Sequence, residues 1–336
     1  MGFVLLFLAL DIQDYTFGFA GINVLWNELN GFPRGIALLT GPSIYFYLKS
    51  QTNFDFKLQR KHLIHLIPYA TAFTVEFVVF VQGPLAVQRF QESQLANVLN
   101  DVNFTVMWAS YIYYFSMSIS LYRKYRKWIK HNYSDVPMVS LHWFRNFIYV
   151  FIAGLAFKQA MTIADTFMQW EFYQDWWWNL GLVAIIAYVS IQGYAQPQMV
   201  PIHFDDSEVV GSEEESHEPS STDPQWNMAL THAMEEEKVY LNPELTLSVL
   251  AKKIDLTPLQ ASEVINGIHG SNFNEFINRY RVAHFKEEVV KPENQSLTLL
   301  AVALDSGFNS KATFNRVFKK IEGISPKEYS AQHEPA

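Results

Sequence analysis

The chain has 336 residues, of which 49% are hydrophobic and only 17% charged, against about 25% charged in an average soluble domain. It contains no cysteine, which excludes disulfides, thiol catalysis and thiolate metal sites. The charge is unevenly placed. Residues 1–196 carry 13 Lys+Arg and 11 Asp+Glu, residues 197–224 carry no Lys or Arg and 8 Asp+Glu, and residues 225–336 carry 12 and 14.

Six apolar stretches in the first 196 residues are long enough to cross a bilayer, which takes roughly 20 residues. They lie at about 1–24, 34–50, 63–83, 102–122, 142–165 and 176–196. A large soluble helical core is the alternative, but its helices would show a polar stripe, which these stretches mostly lack. We therefore expect an all-α chain that begins with a transmembrane helix bundle of about six spans surrounded by membrane lipid, the first span being retained as an anchor.

Basic residues mark two of the loops between these stretches. Residues 49–62 hold Lys49, Lys57, Arg60 and Lys61, and residues 123–145 hold six Lys or Arg. The intervening loops are poor in both residue types. Because basic loops stay in the cytoplasm, we expect a multi-pass protein of the cytoplasmic (inner) membrane with both termini in the cytoplasm.

Charged residues inside the predicted spans are candidates for sensing a signal, because a charge in the bilayer is costly unless it is paired or hydrated. These candidates are Asp11, Asp14, Glu76, Lys158 and Asp165. The alternative is a structural ion pair, which Glu76 and Lys158 could form, or a polar seam that faces water. His62 and His65 have the i, i+3 spacing of metal ligands, but no third ligand is close in sequence, so we expect no metal and no cofactor.

Residues 197–224 combine proline with a run of acidic residues and few aromatic ones. This composition is typical of disordered chain. We expect an acidic linker, which acts either as a plain spacer or as a tether whose negative charge also repels phosphate groups.

The C-terminal residues 225–336 change to short helices with polar faces. The pattern predicts helices at 226–238 and 245–254, a third that begins at Thr257 and Pro258, and a long fourth from Ser271 or Asn272 to about Val290. The sequence LTLLAVALDSGF (297–308) then repeats LTLSVLAKKI (245–254) at a spacing of 52 residues. Asn309 is expected to cap the following helix, and Pro326 to open the last one. Two helix-turn-helix units in tandem are the predicted arrangement, in which the second helix of each unit enters a major groove.

This repeat, with the tail GFNSKATFNRVFKKIEGISPKEY from Gly307 to Tyr329, resembles the AraC/XylS family of transcription regulators over residues 225–336. The weaker motifs LTGPSIYFYLKS (39–50) and HLIHLIPY (62–69) resemble membrane-bound members of that family. The resemblance implies that the two recognition helices dock in successive major grooves of double-stranded DNA.

Carried onto matching positions, the resemblance implies that the second recognition helix turns polar and small residues outward, while Phe308, Phe314 and Phe318 face the core. The outward residues are Ser310, Lys311, Ala312, Asn315 and Arg316. Arg316 suits guanine O6 and N7, and Asn315 suits adenine, although a phosphate contact is the alternative for Arg316. Lys319 and Lys320 are expected to contact phosphate or to be solvated.

The first recognition helix departs from the family pattern. It offers Pro258, Leu259 and Ser262, together with Glu263 where a basic residue is common. Readout by this half is therefore expected to be weak, and the net charge of −2 of residues 225–336 predicts a modest, salt-dependent affinity. Two protomers on adjacent sites, as a homodimer, would compensate.

Neither a phosphate loop nor a nucleophile elbow nor a kinase-type motif is present in the sequence, so we expect no enzymatic activity. The prediction is a membrane-anchored, one-component transcription regulator that contacts RNA polymerase and responds to a small-molecule or membrane signal. The alternative is a membrane transporter or enzyme whose C-terminal domain regulates it through protein contacts.

Overall fold

The computed structural model describes residues 31–135, 141–168 and 224–333, together with a few isolated positions between 2 and 204. All regular secondary structure in these ranges is helical. The chain divides into two compact units, which are described separately. Unit 1 comprises residues 1–123 and 141–204, and unit 2 comprises residues 124–140 and 205–336.

The described part of unit 1 contains five α-helices and one 3-10 helix. They are α1 (Ala37–Thr52), a 3-10 helix (Arg60–Leu66) that runs into α2 (Ile67–Phe80), α3 (Pro84–Gln91), α4 (Gln94–Asn132) and α5 (His142–Met168). The last residues of α4, from Lys124 onward, belong to unit 2.

Two of the described helices are long and apolar enough to cross a membrane, namely Arg60–Phe80 and His142–Met168. They correspond to the third and fifth predicted spans, so the described residues do not support the prediction of a six-span bundle. The second predicted span forms α1, which has only 16 residues and contains Pro42. The fourth lies within α4, where many Tyr, Ser and Asn side chains lower the hydropathy. The first and most of the sixth lie outside the described residues.

Unit 2 contains two helix-turn-helix units on either side of one long helix. Its described helices after the linker are α6 (Pro224–Glu235), α7 (Leu247–Lys253), α8 (Pro258–His269), α9 (Phe273–Val289), α10 (Leu299–Asp305), α11 (Lys311–Glu322) and α12 (Pro326–Gln332). The pairs α7–α8 and α10–α11 are the two units predicted from the repeat. The acidic linker lies outside the described residues except for Phe204 and Pro224.

Local sequence explains where the helices of unit 2 begin. A hydroxyl or amide side chain accepts a hydrogen bond from the backbone N–H three residues later at the starts of α7 to α12, which satisfies one of the free donors of the first turn. The capping residues are Thr246, Thr257, Asn272, Thr298, Ser310 and Ser325.

These caps confirm three predicted helix starts and correct a fourth. Thr257 and Asn272 cap helices as expected, and Pro326 opens the last helix as expected, with Ser325 as its cap. The expected cap Asn309 does not begin α11, because the Ser310 hydroxyl takes the N–H of Thr313 at 3.3 Å. The Asn309 amide instead donates to the carbonyl oxygen of Pro243 at 3.0 Å.

Two apolar cores stabilise unit 2, and α9 contributes to both. Phe273, Phe276 and Ile277 of α9 pack in the first core with α7 and α8. Val282 and Phe285 pack in the second core, which also contains the expected Phe308, Phe314 and Phe318.

A buried arginine sits between these cores. Arg281 is 1% exposed, and its Nε and Nη2 donate to the carbonyl oxygens of Tyr240 and Asn242, each at 2.8 Å. Burial lowers the pKa of Arg281 to about 10, while the carboxylate of Asp135 acts in the opposite direction. The guanidinium thus joins the loop before the first helix-turn-helix unit to α9.

Candidate nucleic-acid interface

Helix α11 presents a row of exposed polar and basic side chains opposite its buried face. Thr313, Phe314, Val317 and Phe318 are buried, and the remaining predicted contact residues are exposed. Those exposed residues are Lys311, Ala312, Asn315, Arg316, Lys319 and Lys320. Ser310 is exposed as well, but its hydroxyl caps α11, so it offers DNA less than the sequence suggested.

The edge of α11 that faces α9 is basic. Arg316 and Lys320 line a cavity of ≈ 350 Å³ between these helices, and Arg279 of α9 lines it from the other side. Lys320 Nζ lies 2.7 Å from the carboxylate of Glu275, which lowers the pKa of Glu275 through that hydrogen bond. Arg316 and Arg279 are thereby placed to attract phosphate. The sequence analysis did not predict Arg279, because the residue pattern of α9 does not distinguish it from a charged residue that is simply exposed to water.

Helix α8 offers little hydrogen-bonding capacity at the predicted positions. Pro258 and Leu259 are exposed, Leu259 by 61%, and both are apolar. The hydroxyl of Ser262 is half-buried and accepts from the Asn266 amide at 3.1 Å. Apolar contact with a thymine methyl group is the interaction this surface suits best.

The structure describes three of the five charged residues that were predicted to lie inside spans. Asp11 and Asp14 fall outside the described residues. Glu76 lines a mainly apolar cavity of ≈ 310 Å³ between α2 and α4, together with Asn100 and Asn103. Among the described ion pairs of the chain, none joins Glu76 to Lys158.

Lys158 and Asp165 are half-exposed positions on α5. The two histidines with ligand-like spacing both take part in hydrogen bonds within unit 1. The backbone N–H of Gln59 donates to His62 Nδ1 at 3.0 Å, and His65 Nδ1 lies 2.5 Å from the Tyr114 hydroxyl. Within the described ranges, the acidic and histidine side chains form no group that could hold a metal ion.

Comparison with known proteins identifies similarity in the C-terminal region. Residues 250–332 match the family model described as "Helix-turn-helix domain". An uncharacterized HTH-type transcriptional regulator of Staphylococcus aureus (strain COL) is 28% identical over 92 residues, which are 27% of this chain and 12% of that protein. The regulatory protein PocR of Salmonella typhimurium is 25% identical over 93 residues, 28% of this chain and 30% of PocR.

A solved structure of a protein of unknown function from Listeria innocua is 25% identical and covers 32% of this chain and 96% of its own, with a TM-score of 0.28. The chain thus covers only a small part of its curated relatives. The C-terminal part of this chain carries a helix-turn-helix domain similar to those of AraC-like transcription regulators.

Proposed function

We propose that this chain is a membrane-anchored, one-component transcription regulator that binds double-stranded DNA through α8 and α11. One observation carries the proposal: the two helix-turn-helix units share the helix α9, and α11 exposes Lys311, Asn315 and Arg316 on its solvent face. Amide and guanidinium groups at these positions match the hydrogen-bonding edges of bases in the major groove.

Anchoring in the cytoplasmic membrane is supported by unit 1. The segment Arg60–Phe80 has no buried share, and apolar side chains such as Ile67 (56%) and Val78 (51%) are exposed. Exposed apolar side chains of this kind are favourable when the helix is surrounded by lipid. The basic residues at the end of α4, from Lys124 to Lys130, lie in the same compact unit as the helix-turn-helix domain, which fits a cytoplasmic position for both and a multi-pass chain with cytoplasmic termini.

Reception of a signal by unit 1 is the second element of the proposal. The cavity beside Glu76 places one carboxylate and the amides of Asn100 and Asn103 within apolar walls. A small molecule with polar and apolar parts, or a change in membrane state, would act there by favouring one of two arrangements of α2 and α4. RNA polymerase and a second copy of the chain are the partners we propose for output at promoters.

Genome-wide footprinting of the tagged full chain in its own cell tests DNA binding directly. We expect protected sites whose two halves lie about one helical turn apart, because the two recognition helices read successive major grooves. The matched control carries Asn315→Ala and Arg316→Ala, which are surface changes that leave the cores intact. Identical footprints for the two proteins, or none for either, would contradict the proposal.

A further inference from the structure

The three residues that follow α4, Tyr133–Asp135, pack inside the helix-turn-helix domain, and we name them the docking segment. Tyr133 forms an antiparallel bridge with Thr246, the cap of α7. The backbone N–H of Ser134 donates to the carbonyl oxygen of Leu245 at 3.4 Å, and its hydroxyl donates to the same oxygen at 2.7 Å. The docking segment thereby lies against the start of the first helix-turn-helix unit.

The central helix α9 holds the same segment with three side chains. The Asn274 amide donates to the carbonyl oxygens of Tyr133 and Ser134. The Asn278 amide donates to the Ser134 carbonyl at 3.3 Å, and Arg281 Nη2 donates to the Ser134 hydroxyl at 3.2 Å. Ser134 is 1% and Asp135 6% exposed, so these contacts are interior ones.

The segment also contacts the second helix-turn-helix unit. The hydroxyl of Thr313, in the first turn of α11, donates to Asp135 Oδ1 at 3.5 Å. This places a carboxylate at the N-terminal end of a recognition helix, where the backbone N–H groups and the helix dipole attract anions. DNA phosphate is an anion that would otherwise be attracted to that position, so Asp135 opposes it.

Two polar atoms in this interface have no hydrogen-bond partner among the described residues, namely Asp135 Oδ2 and Asn278 Oδ1. A buried polar atom without a partner opposes the buried arrangement. The core residues of the helix-turn-helix domain come from α6 to α11 and their connections rather than from the segment. The interface is therefore suited to open while the domain stays folded.

We propose that the docking segment is an autoinhibitory contact of the DNA-binding domain, resting on the regulator function proposed above. Docked, it bonds to the residues that begin α7, to α9 and to the first turn of α11, and it sets Asp135 against the start of α11. The docked segment also attaches the DNA-binding domain to the end of α4, in addition to the acidic linker. This second attachment restricts how far the domain can move toward DNA. The segment is released by movement of α4, which carries both Asn100 and Asn103 of the Glu76 cavity and, at its end, the docking segment.

A single engineered disulfide tests this contact, because the chain has no cysteine of its own. Tyr133 and Thr246 are a non-hydrogen-bonded antiparallel pair, whose Cα atoms lie about 4.5 Å apart, within the range that a disulfide spans. The variant Tyr133→Cys/Thr246→Cys is prepared as the full chain in nanodiscs of phosphatidylethanolamine and phosphatidylglycerol. Its affinity for a DNA fragment recovered by footprinting is measured before and after reduction.

We expect the oxidised protein to bind about tenfold more weakly than the same protein after reduction, inside the range of roughly 5–150-fold typical of coupling between sites. The single variants Tyr133→Cys and Thr246→Cys, the second of which lacks the α7 cap, should not respond to reduction. Equal affinity in both states, or tighter binding when oxidised, would overturn the inference while leaving DNA binding intact. A reduced protein that binds no DNA overturns both proposals.

A second comparison releases the segment without a cross-link. Ser134→Ala/Asp135→Asn removes the hydroxyl and the charge of the segment, whereas the control Ser50→Ala/Asp55→Asn makes the same changes at exposed positions of unit 1. We expect the first variant to bind the fragment several-fold more tightly than the wild type and the control to bind equally. Unchanged or weaker binding by a folded Ser134→Ala/Asp135→Asn protein would count against autoinhibition.

Discussion

Gly307 and Arg281 meet at one oxygen atom, the carbonyl of Tyr240. Arg281 Nε donates to this oxygen at 2.8 Å, and a Cβ atom added to Gly307 would overlap it and come within 3.0 Å of the same Nε. Gly307 also has a φ of +89°, in the region that side chains other than hydrogen disfavour. The turn of the second helix-turn-helix unit therefore fits only because this position has no side chain.

Gly307→Ala should destabilise the C-terminal domain strongly, because backbone strain and a steric overlap act together. We expect a loss on the order of 3 kcal/mol in the free energy of unfolding, measured by urea denaturation of residues 224–336. Gly323→Ala is the matched control. It has a φ of +78° but open space around its Cβ position, so the strain alone should cost about 1 kcal/mol. Equal losses for the two variants would show that the contact with Tyr240 is not limiting.

Arg316→Ala should weaken binding to a specific site by about 1–3 kcal/mol and relax the preference at one base pair. The reason is that a guanidinium donates two hydrogen bonds to guanine, which alanine cannot replace. The measurement is a titration against the recovered site and its single-base variants. An equal loss on every sequence would assign Arg316 to phosphate, as its position beside Arg279 also permits.

The stability of the C-terminal domain should fall as the pH drops from 7.5 to 5.5. Burial lowers the pKa of His269, with Arg279 acting in the same direction. Burial also lowers the pKa of His284, which Glu288 opposes. The unfolded chain therefore binds more protons than the folded one below the ordinary histidine pKa of about 6.5, so stability is full above that pH and is lost below it.

The urea midpoint of residues 224–336, measured across this range, checks the pH dependence. The double variant His269→Gln/His284→Gln should show a flatter profile between pH 7.5 and 5.5, since glutamine does not titrate. If the slope of the double variant equals that of the wild type, other groups are responsible for the dependence.

Reporter fusions should place Asn132 and Ala336 in the cytoplasm and Leu95 outside. The expectation follows from the basic stretches at residues 49–62 and 123–145, because basic loops stay in the cytoplasm. A fusion after each of the three residues, assayed with one reporter active in the cytoplasm and one active outside, gives the measurement. The reversed pattern would contradict the proposed orientation.

Lys158→Met should change target-gene output without preventing membrane insertion, and Glu76→Gln should do the same through the α2–α4 cavity. A charge inside a span is retained at a cost, so a role in switching is the expected compensation. Output is measured with a reporter gene downstream of a footprinted site. If both variants and a chain with an unrelated anchor in place of the spans regulate normally, the spans serve only as a tether.

The C-terminal fold follows from short-range signals in the sequence. Thr257 followed by Pro258, and Ser325 followed by Pro326, determine helix starts within four residues, and the spacing of Phe314 and Phe318 determines which face of α11 is buried. The prediction that Asn309 caps α11 was wrong because Asn309 and Ser310 are both favourable capping residues. Asn309 donates instead to the carbonyl oxygen of Pro243, a long-range contact, and Ser310 is the cap.

The features that the sequence did not reveal depend on long-range or whole-helix properties. The contacts of Ser134 are made largely with backbone atoms and with residues more than 100 positions away, and such contacts leave no periodic pattern. The described helices support fewer spans than predicted for a different reason. A stretch without charges, such as residues 102–122, still falls short of the hydropathy of a span when Tyr and Ser are frequent in it.

Helix α9 supplies Phe276 to the first apolar core and Phe285 to the second, and Arg281 lies between them. Each helix-turn-helix unit therefore depends on α9 to complete its apolar core. A truncation after Val289 would expose the face of α9 that packs in the second core. The two helix-turn-helix units should unfold in a single cooperative transition. A substitution that destabilises one unit therefore destabilises the other, and either half expressed alone should not fold.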